Sequence, residues 1–227
     1  MTDTPYTGQA DDRRYSGEQA DITYSLKRCI HAEECIHRLS AVFDPKKRPW
    51  IQADGASADD LVAMVTHCPS GALHVERKDG GVPEAPPAEN TITLWKDGPL
   101  QLEGDLSLYG AQVAIDHETR LTLCRCGASN NKPFCDNAHL KSGFTASDPL
   151  PAVATTPVSD PPAMSSGKLS VTAQANGSLA VTGAFTMRAP DGSMLSYGDQ
   201  AWLCRCGQSN NKPFCDGTHR TVGFTAE

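Results

Sequence analysis

Three cysteines and a histidine at positions 124, 126, 135 and 139 recur 80 residues later as Cys204, Cys206, Cys215 and His219. Leu123 to His139 reads LCRCGASNNKPFCDNAH, and Leu203 to His219 reads LCRCGQSNNKPFCDGTH, identical at 14 of 17 positions. Flanking sequence is far less alike, so the tract is held by chemistry. Three thiolates and one imidazole at C-x-C-x8-C-x3-H spacing form a metal-binding set. In C-x-C the two thiolates lie close enough for one iron, and Gly127 and Gly207 permit the tight turn that follows. Pro133 and Pro213 stiffen the approach to the third cysteine. Asp136 and Asp216 are placed to cap a short helix. The i, i+4 spacing of Cys135 with His139, and of Cys215 with His219, predicts both ligands on one face of a helical turn.

Such a set has two readings. One is tetrahedral structural zinc, whose usual knuckle is C-x2-4-C rather than C-x-C. The other is a [2Fe–2S] cluster, with Cys124 and Cys126 on one iron and Cys135 and His139 on the second.

The remaining cysteines are Cys29, Cys35 and Cys68. Nine is an odd count, which rules out a complete set of internal disulfides, and three groups of three read as three metal centres. Bacterial ferredoxins carry C-x2-C-x2-C and a remote Cys-Pro. On this chain that template falls at positions 29, 32, 35 and 68, and position 32 is Ala. One thiolate is missing, which predicts a [3Fe–4S] cluster. The alternative is [4Fe–4S], with His31, a nearby Glu or a small molecule on the fourth iron.

The elements around these residues are short. Aromatic residues are 6% of the chain, while Gly and Pro together number 35, which suggests small, loop-rich units that lean on metal for stability. Residues 1–20 read as a disordered or extended tail, 21–78 as the first domain, and 79–90 as a linker rich in Gly and Pro. Residues 91–147 and 167–227 read as the two repeat domains, joined by a linker at 148–166. In the first domain, a strand is predicted at Ile22 to Leu26 and a helix near Cys35 to Val42. A second helix follows, capped by Ser57 with Asp60 in the capping-box position, and a closing strand runs from Ala72 to Glu76. Short half-buried strands are predicted around Leu100 and Leu102, Val113 and Ile115, and Leu121 and Leu123. The second repeat has them around Leu169 and Val171, Leu179 and Val181, and Phe185 and Met187.

A net charge of −7 with no basic stripe argues against nucleic acid as a partner. Lys46-Lys47-Arg48 reads as a solvated loop or a docking patch for an acidic partner. No secretory leader and no run of 18 apolar residues is visible, so no membrane association and a cytoplasmic location are expected. No dinucleotide fingerprint, P-loop or Ser-His-Asp order is present, and the chain is not expected to be an enzyme. His37, His67, His74 and His117 read as structural or exposed, and Trp50, Trp95 and Trp202 as packing residues.

The tract C-R-C-G-x-S-x-x-K-P-F-C-D-x-x-H resembles the CDGSH (mitoNEET-like) iron–sulfur domain family. The likeness covers both tracts and their upstream G-x-L strands. It implies a [2Fe–2S] cluster held by three Cys and one His in each copy. The family pairs two such domains in a dimer, so a tandem chain is expected to do this internally, as a monomer. The second copy, Cys215-Asp216-Gly217-Thr218-His219, is near the family signature, whereas the first has Asn137 for Gly and Ala138 for Ser. Asn tolerates unusual backbone angles, but Ala138 supplies no hydroxyl, so the two clusters are expected to differ. A neutral imidazole in place of a thiolate raises a cluster's potential and couples it to protons.

Residues 22–77 resemble the single-cluster ferredoxin family through Val42-Phe43-Asp44, Arg48-Pro49-Trp50-Ile51 and Cys68-Pro69-Ser70-Gly71-Ala72-Leu73. The expected fold is α+β, a ferredoxin-like domain followed by two small β-rich domains packed as a pseudo-dimer. The expected function is electron transfer between partner proteins. The alternatives are cluster storage or transfer to apo-acceptor proteins, redox or pH sensing, and a zinc-stabilised interaction module.

Overall fold

The computed structural model describes residues 8–9, 11–110, 112–146 and 166–226. Most of the expected 148–166 linker, and the first seven residues of the expected tail, lie outside them. The chain divides into two compact units, Met1–Ala85 and Pro86–Glu227.

In the first unit, β1 (Arg13–Ser16), β2 (Ala20–Tyr24) and β3 (Leu73–Arg77) form an antiparallel sheet in the order β1-β2-β3. All five residues of β2 are buried, because the strand lies between two neighbours and against the core. Helix α2 (Ala58–Val65) begins at Ser57, whose hydroxyl accepts from the Asp60 amide at 3.2 Å. It turns Leu61, Met64 and Val65 onto Ile22, Phe43 and Val75. The other helix, α1 (Glu34–Arg38), is shorter than predicted. The chain leaves the helical region at Leu39 and turns, with the Val42 and Phe43 amides donating to the Leu39 carbonyl, which brings both residues into the core, where Phe43 bridges Ile51.

The second unit holds both repeats in one sheet system. Strands β4 (Thr91–Leu94), β5 (Leu100–Gly110) and β6 (Val113–Leu123) come from the first repeat. Strands β7 (Lys168–Ala173), β8 (Leu179–Arg188) and β9 (Met194–Leu203) come from the second. Within each repeat the neighbours pair antiparallel. Between repeats, β5 pairs with β7 and β4 with β8, both in parallel. The path β4-β5-β7-β8 returns to β4, so four strands close into a barrel, with β6 on the outer edge of β5 and β9 on that of β8. Leu100, Leu102, Leu106, Leu179, Val181 and Phe185 are among its fully buried residues. At the closure, Asn90 is 1% exposed and its side-chain amide donates to the Gly167 and Ala184 carbonyls at 2.8 and 2.9 Å.

The expected α+β class with a ferredoxin-like first domain is therefore corrected. Among the described residues the protein is mostly β, with 36% strand and 12% helix, built as a barrel and sheets. Two causes lie in the strands. Val113, Ile115, Leu121 and Leu123 belong to one long strand, as do Leu179, Val181, Phe185 and Met187. Register shifts at Glu103/Leu106 and Thr182/Phe185 absorb the break in alternation without ending the strand. Strand β9 went unread because its start is half-exposed, and period two turns Trp202 outward at 47% exposure rather than into packing.

Candidate metal centres

Each repeat delivers its ligands in the same way. Strand β6 ends at Leu123, which bridges Phe134, and the Cys135 amide donates to the Thr122 carbonyl at 3.0 Å. The Cys124 amide donates to the Pro133 carbonyl at 2.8 Å. These bonds fold the third-cysteine loop back beside Cys124. In the second repeat Leu203 bridges Phe214, and the Cys204 and Cys215 amides donate to Pro213 and Trp202, both at 2.8 Å. Lys132–Pro133 and Lys212–Pro213 are cis.

The donors fall in pairs. Cys124 and Cys126 Sγ atoms lie 3.7 Å apart, and so do those of Cys204 and Cys206. Cys135 Sγ lies 3.6 Å from His139 Nδ1, and Cys215 Sγ 3.3 Å from His219 Nδ1. Among the described residues no group of three or more His, Cys, Asp or Glu converges to hold a single ion. The donors of each repeat therefore lie as two pairs rather than as one converging set.

The Cys–His pairs do not sit on a helical turn. Helix α3 (His139–Ser142) starts at the histidine, and Asn137 ahead of it is left-handed at φ 66°. Gly217 occupies the same place at φ 86°, ahead of a 3-10 turn over Thr218–Arg220. The aspartates also do something other than capping a helix. Asp136 accepts from the Asn130 amide at 2.8 Å and the Ala138 amide at 3.0 Å, tying two parts of the loop together. Asp216 does the same with Asn210 and Thr218. Burial pushes Asp216 upward, but hydrogen bonds from the Thr218 hydroxyl and amide and the Asn210 amide outweigh it and hold the group down at about 2. Ala138 has no hydroxyl to match.

Amides also face the ligand sulfurs. Ala128 and Asn137 donate to Cys126 and Cys135, and Gly217 to Cys215, each at 3.4 Å. Such bonds stabilise charge on sulfur and tune a bound cluster. Burial raises the Cys135 and Cys206 thiols to about 11, while the hydrogen bond from Cys124 lowers Cys126 to about 6. Metal must therefore displace protons from most of these sulfurs.

The two sites touch through their loops. Cys126 and Cys206 form an antiparallel bridge. Gly127 and Gly207 have φ of 79° and 78°, and a Cβ on either would lie 2.3 Å from the carbonyl oxygen of the opposite cysteine. Turn geometry and close approach thus both require glycine there.

Four supporting residues escaped the sequence reading. Arg125 and Arg205 are each 1% exposed. Arg125 donates to the Gly98 and Trp95 carbonyls at 2.9 and 2.7 Å, and Arg205 to Gly177 at 3.0 Å and to Gln174. Ser129 and Ser209, each 2% exposed, donate to Phe134 and Phe214 at 2.8 and 2.6 Å. Their signal was present, since all four are identical between the tracts.

In the first unit Cys29, Cys35 and Cys68 line one cavity, together with Tyr24, Ala32 and Trp50. Cys68 leaves α2 through its amide bond to the Val65 carbonyl at 2.9 Å. Buried Arg28 ties the Cys29 loop to the Ser70 carbonyl at 2.8 Å. Burial, then the charges of Cys68 and Cys29, raise Cys35 to about 11. Trp50 packs edge-on to Tyr24 with ring centroids 5.0 Å apart. His37 and His67 are exposed and His117 half-buried, whereas His74 is buried with Glu84, 3.0 Å away. Lys46, Lys47 and Arg48 are exposed. No helix among the described residues is long and apolar enough to cross a membrane.

A family model described as "Divergent 4Fe-4S mono-cluster" matches residues 15–78. One described as "Iron-binding zinc finger CDGSH type" matches residues 97–140 and 176–220. The uncharacterized protein YjdI of Escherichia coli (strain K12) is 33% identical over 66 residues, covering 29% of this chain and 87% of YjdI. YjdI of Escherichia coli O157:H7 matches to the same extent. The chain therefore belongs with the iron–sulfur proteins in which a divergent 4Fe–4S mono-cluster domain precedes two CDGSH-type iron-binding domains.

Proposed function

We propose that the chain is a one-electron carrier with three clusters. Two are [2Fe–2S] groups held by Cys124, Cys126, Cys135 and His139, and by Cys204, Cys206, Cys215 and His219. The third is a ferredoxin-type group on Cys29, Cys35 and Cys68, with three irons when only the cysteines hold it. The pairing of donors at 3.3–3.7 Å in both repeats carries this reading. When bound, the clusters supply the redox change. The protein holds the thiolates, donates amides to their sulfurs, and keeps Cys124 and Cys204 at 1% exposure while the histidine side meets solvent. No bond of a substrate is made or broken in this role, and the partners are redox proteins.

A second reading, delivery of the [2Fe–2S] groups to apo-acceptor proteins, is favoured by the partly exposed His139 and His219. Iron, sulfide and zinc analysis with EPR on anaerobically purified protein tests the first reading. The expected content is about seven irons and about eight acid-labile sulfides per chain. A zinc-loaded, colourless protein refutes it. Loss of the [2Fe–2S] groups to an apo-ferredoxin faster than they cycle electrons selects the second.

A further inference from the structure

Positive charge in the first unit is compensated almost everywhere. Arg14, Lys27, Arg38, Arg77 and Lys78 each hold a carboxylate of the same unit within 3.1 Å. The turn between Phe43 and Ile51 breaks this pattern. Lys46, Lys47 and Arg48 are consecutive and exposed there. Lys47 Nζ lies 3.8 Å from Asp44, and among the described residues Lys46 and Arg48 form no ion pair. The turn that carries them is ordered and anchored on the core. Phe43 is fully buried and bridges Ile51 at its base. The Asp44 amide donates to the Trp50 carbonyl at 2.8 Å, and the Lys46 and Lys47 amides donate to the Asp44 side chain and carbonyl at 2.9 and 3.0 Å. Arg48 donates to the Pro45 and Lys47 carbonyls at 2.9 and 2.7 Å, which fixes the guanidinium without neutralising it. A partner docking here has little backbone left to order.

We infer that the Lys46–Arg48 turn is the docking surface for an acidic redox protein. The choice of a redox protein rests on the electron-carrier reading, whereas the surface rests on charge. A chain of net charge −7 repels an acidic partner at long range. Three uncompensated cations on one turn reverse that within about one Debye length, roughly 8 Å at physiological salt, and so select where contact forms. The place is informative. Trp50 closes the turn, lines the cavity of Cys29, Cys35 and Cys68, and packs on Tyr24. Glu33 and Glu34 line the same cavity. An acidic surface is therefore drawn to the turn and turned away from the glutamates, which sets its orientation beside the cavity wall. Nucleic acid fits less well, because three cations neutralise few phosphates and the net charge opposes the rest of the polymer.

The test mixes the full chain with two acidic one-electron carriers as probes, a flavodoxin and a plant-type ferredoxin. Association is read by stopped flow, and contact by zero-length carbodiimide cross-linking with peptide mapping. Cross-links are expected at Lys46 and Lys47 of the wild-type chain, which decides the matter without any variant. Lys46→Glu/Lys47→Glu is expected to slow association about tenfold or more at low ionic strength and to flatten its salt dependence. Arg13→Glu/Lys96→Glu makes the same charge change on exposed side chains away from the turn and is expected to slow it less than about threefold. Cross-links confined to other lysines, or equal slowing in the two double variants, overturn the docking surface. Duplex DNA that displaces both carriers from the turn overturns the partner class. Cross-linking at Lys46 and Lys47 in a chain that carries no iron leaves the surface standing and overturns the electron-carrier reading instead.

Discussion

Substituting Gly127 or Gly207 by Ala should damage both repeat sites at once. The cost has two parts. Left-handed backbone at φ 79° or 78° costs a β-carbon roughly 1–2 kcal/mol. The new methyl also lies 2.3 Å from a carbonyl oxygen of the opposite loop. That neighbour is backbone, so relief requires opening the Cys126–Cys206 bridge. Losing such a bond costs about 0.5–1.5 kcal/mol, and leaving a buried polar group unpaired about 1–3 kcal/mol. The total is about 3–6 kcal/mol, a large share of the roughly 5–15 kcal/mol that stabilises a domain. Gly143 supplies the control. Its φ is 69°, but nothing lies within 4 Å of its Cβ position, so Gly143→Ala should cost only the backbone part. Chemical denaturation followed by circular dichroism and cluster absorbance measures the difference. Both sites should bleach early in Gly127→Ala. The double variant Gly127→Ala/Gly207→Ala should cost less than the sum, since the bridge is already open. Equal costs for Gly127→Ala and Gly143→Ala would refute the close approach as the reason for glycine.

Further outcomes follow from single side chains. His139→Cys and His219→Cys should each lower the potential of their own site, on the order of 100 mV or more, in a potentiometric titration, because an imidazole gives way to a thiolate. Asn137→Gly should change the stability of the second unit by less than about 1 kcal/mol in chemical denaturation, since the relief of backbone strain at φ 66° is offset by the freedom glycine adds to the unfolded chain. The Asp79 carboxyl is held at about 2 by hydrogen bonds from the Arg77 side chain and the Gly81 amide. A depressed carboxylate stabilises the fold above its unfolded pKa of about 3.9. That contribution is lost as pH falls through about 2. Asp79→Asn should therefore flatten the melting temperature between those two values, and an unflattened profile would count against the pair.

The cysteines and histidines were legible because ligand chemistry restricts residue type and spacing, and duplication separates held positions from free ones. Ser57 was legible because a cap is local: its hydroxyl reaches an amide three residues on. Alternation at Leu100 and Leu102 marked a strand and its buried face. It carried no information about partners, so the pairing of β5 with β7 and of β4 with β8 went unread. The spacing of Cys135 and His139 gave proximity for the wrong reason. A left-handed Asn137 brings them to 3.6 Å without a helical turn beneath both. His74 and Glu84 could not be paired from sequence, since Glu84 lies in a stretch whose composition reads as linker.

Strand exchange determines which properties of the two sites are shared and which are separate. The Asp105–Tyr109 stretch of β5 has its second partner in β7 of the other repeat, and β4 has its second partner in β8. A first repeat alone would expose those strand edges as unpaired hydrogen-bonding groups. It would also lose the opposite half of the bridge at Cys126. The frame that holds each set of ligands is therefore common property, and its failure is felt at both. What differs lies in the residues that touch the ligands without joining the frame. Thr218 gives Asp216 a hydroxyl bond that Ala138 cannot give Asp136. Beyond the histidines, the first site presents Leu140, 75% exposed, where the second presents Arg220. A shared scaffold with unequal lips gives one chain two chemically distinct surfaces beside sites that stand or fall together.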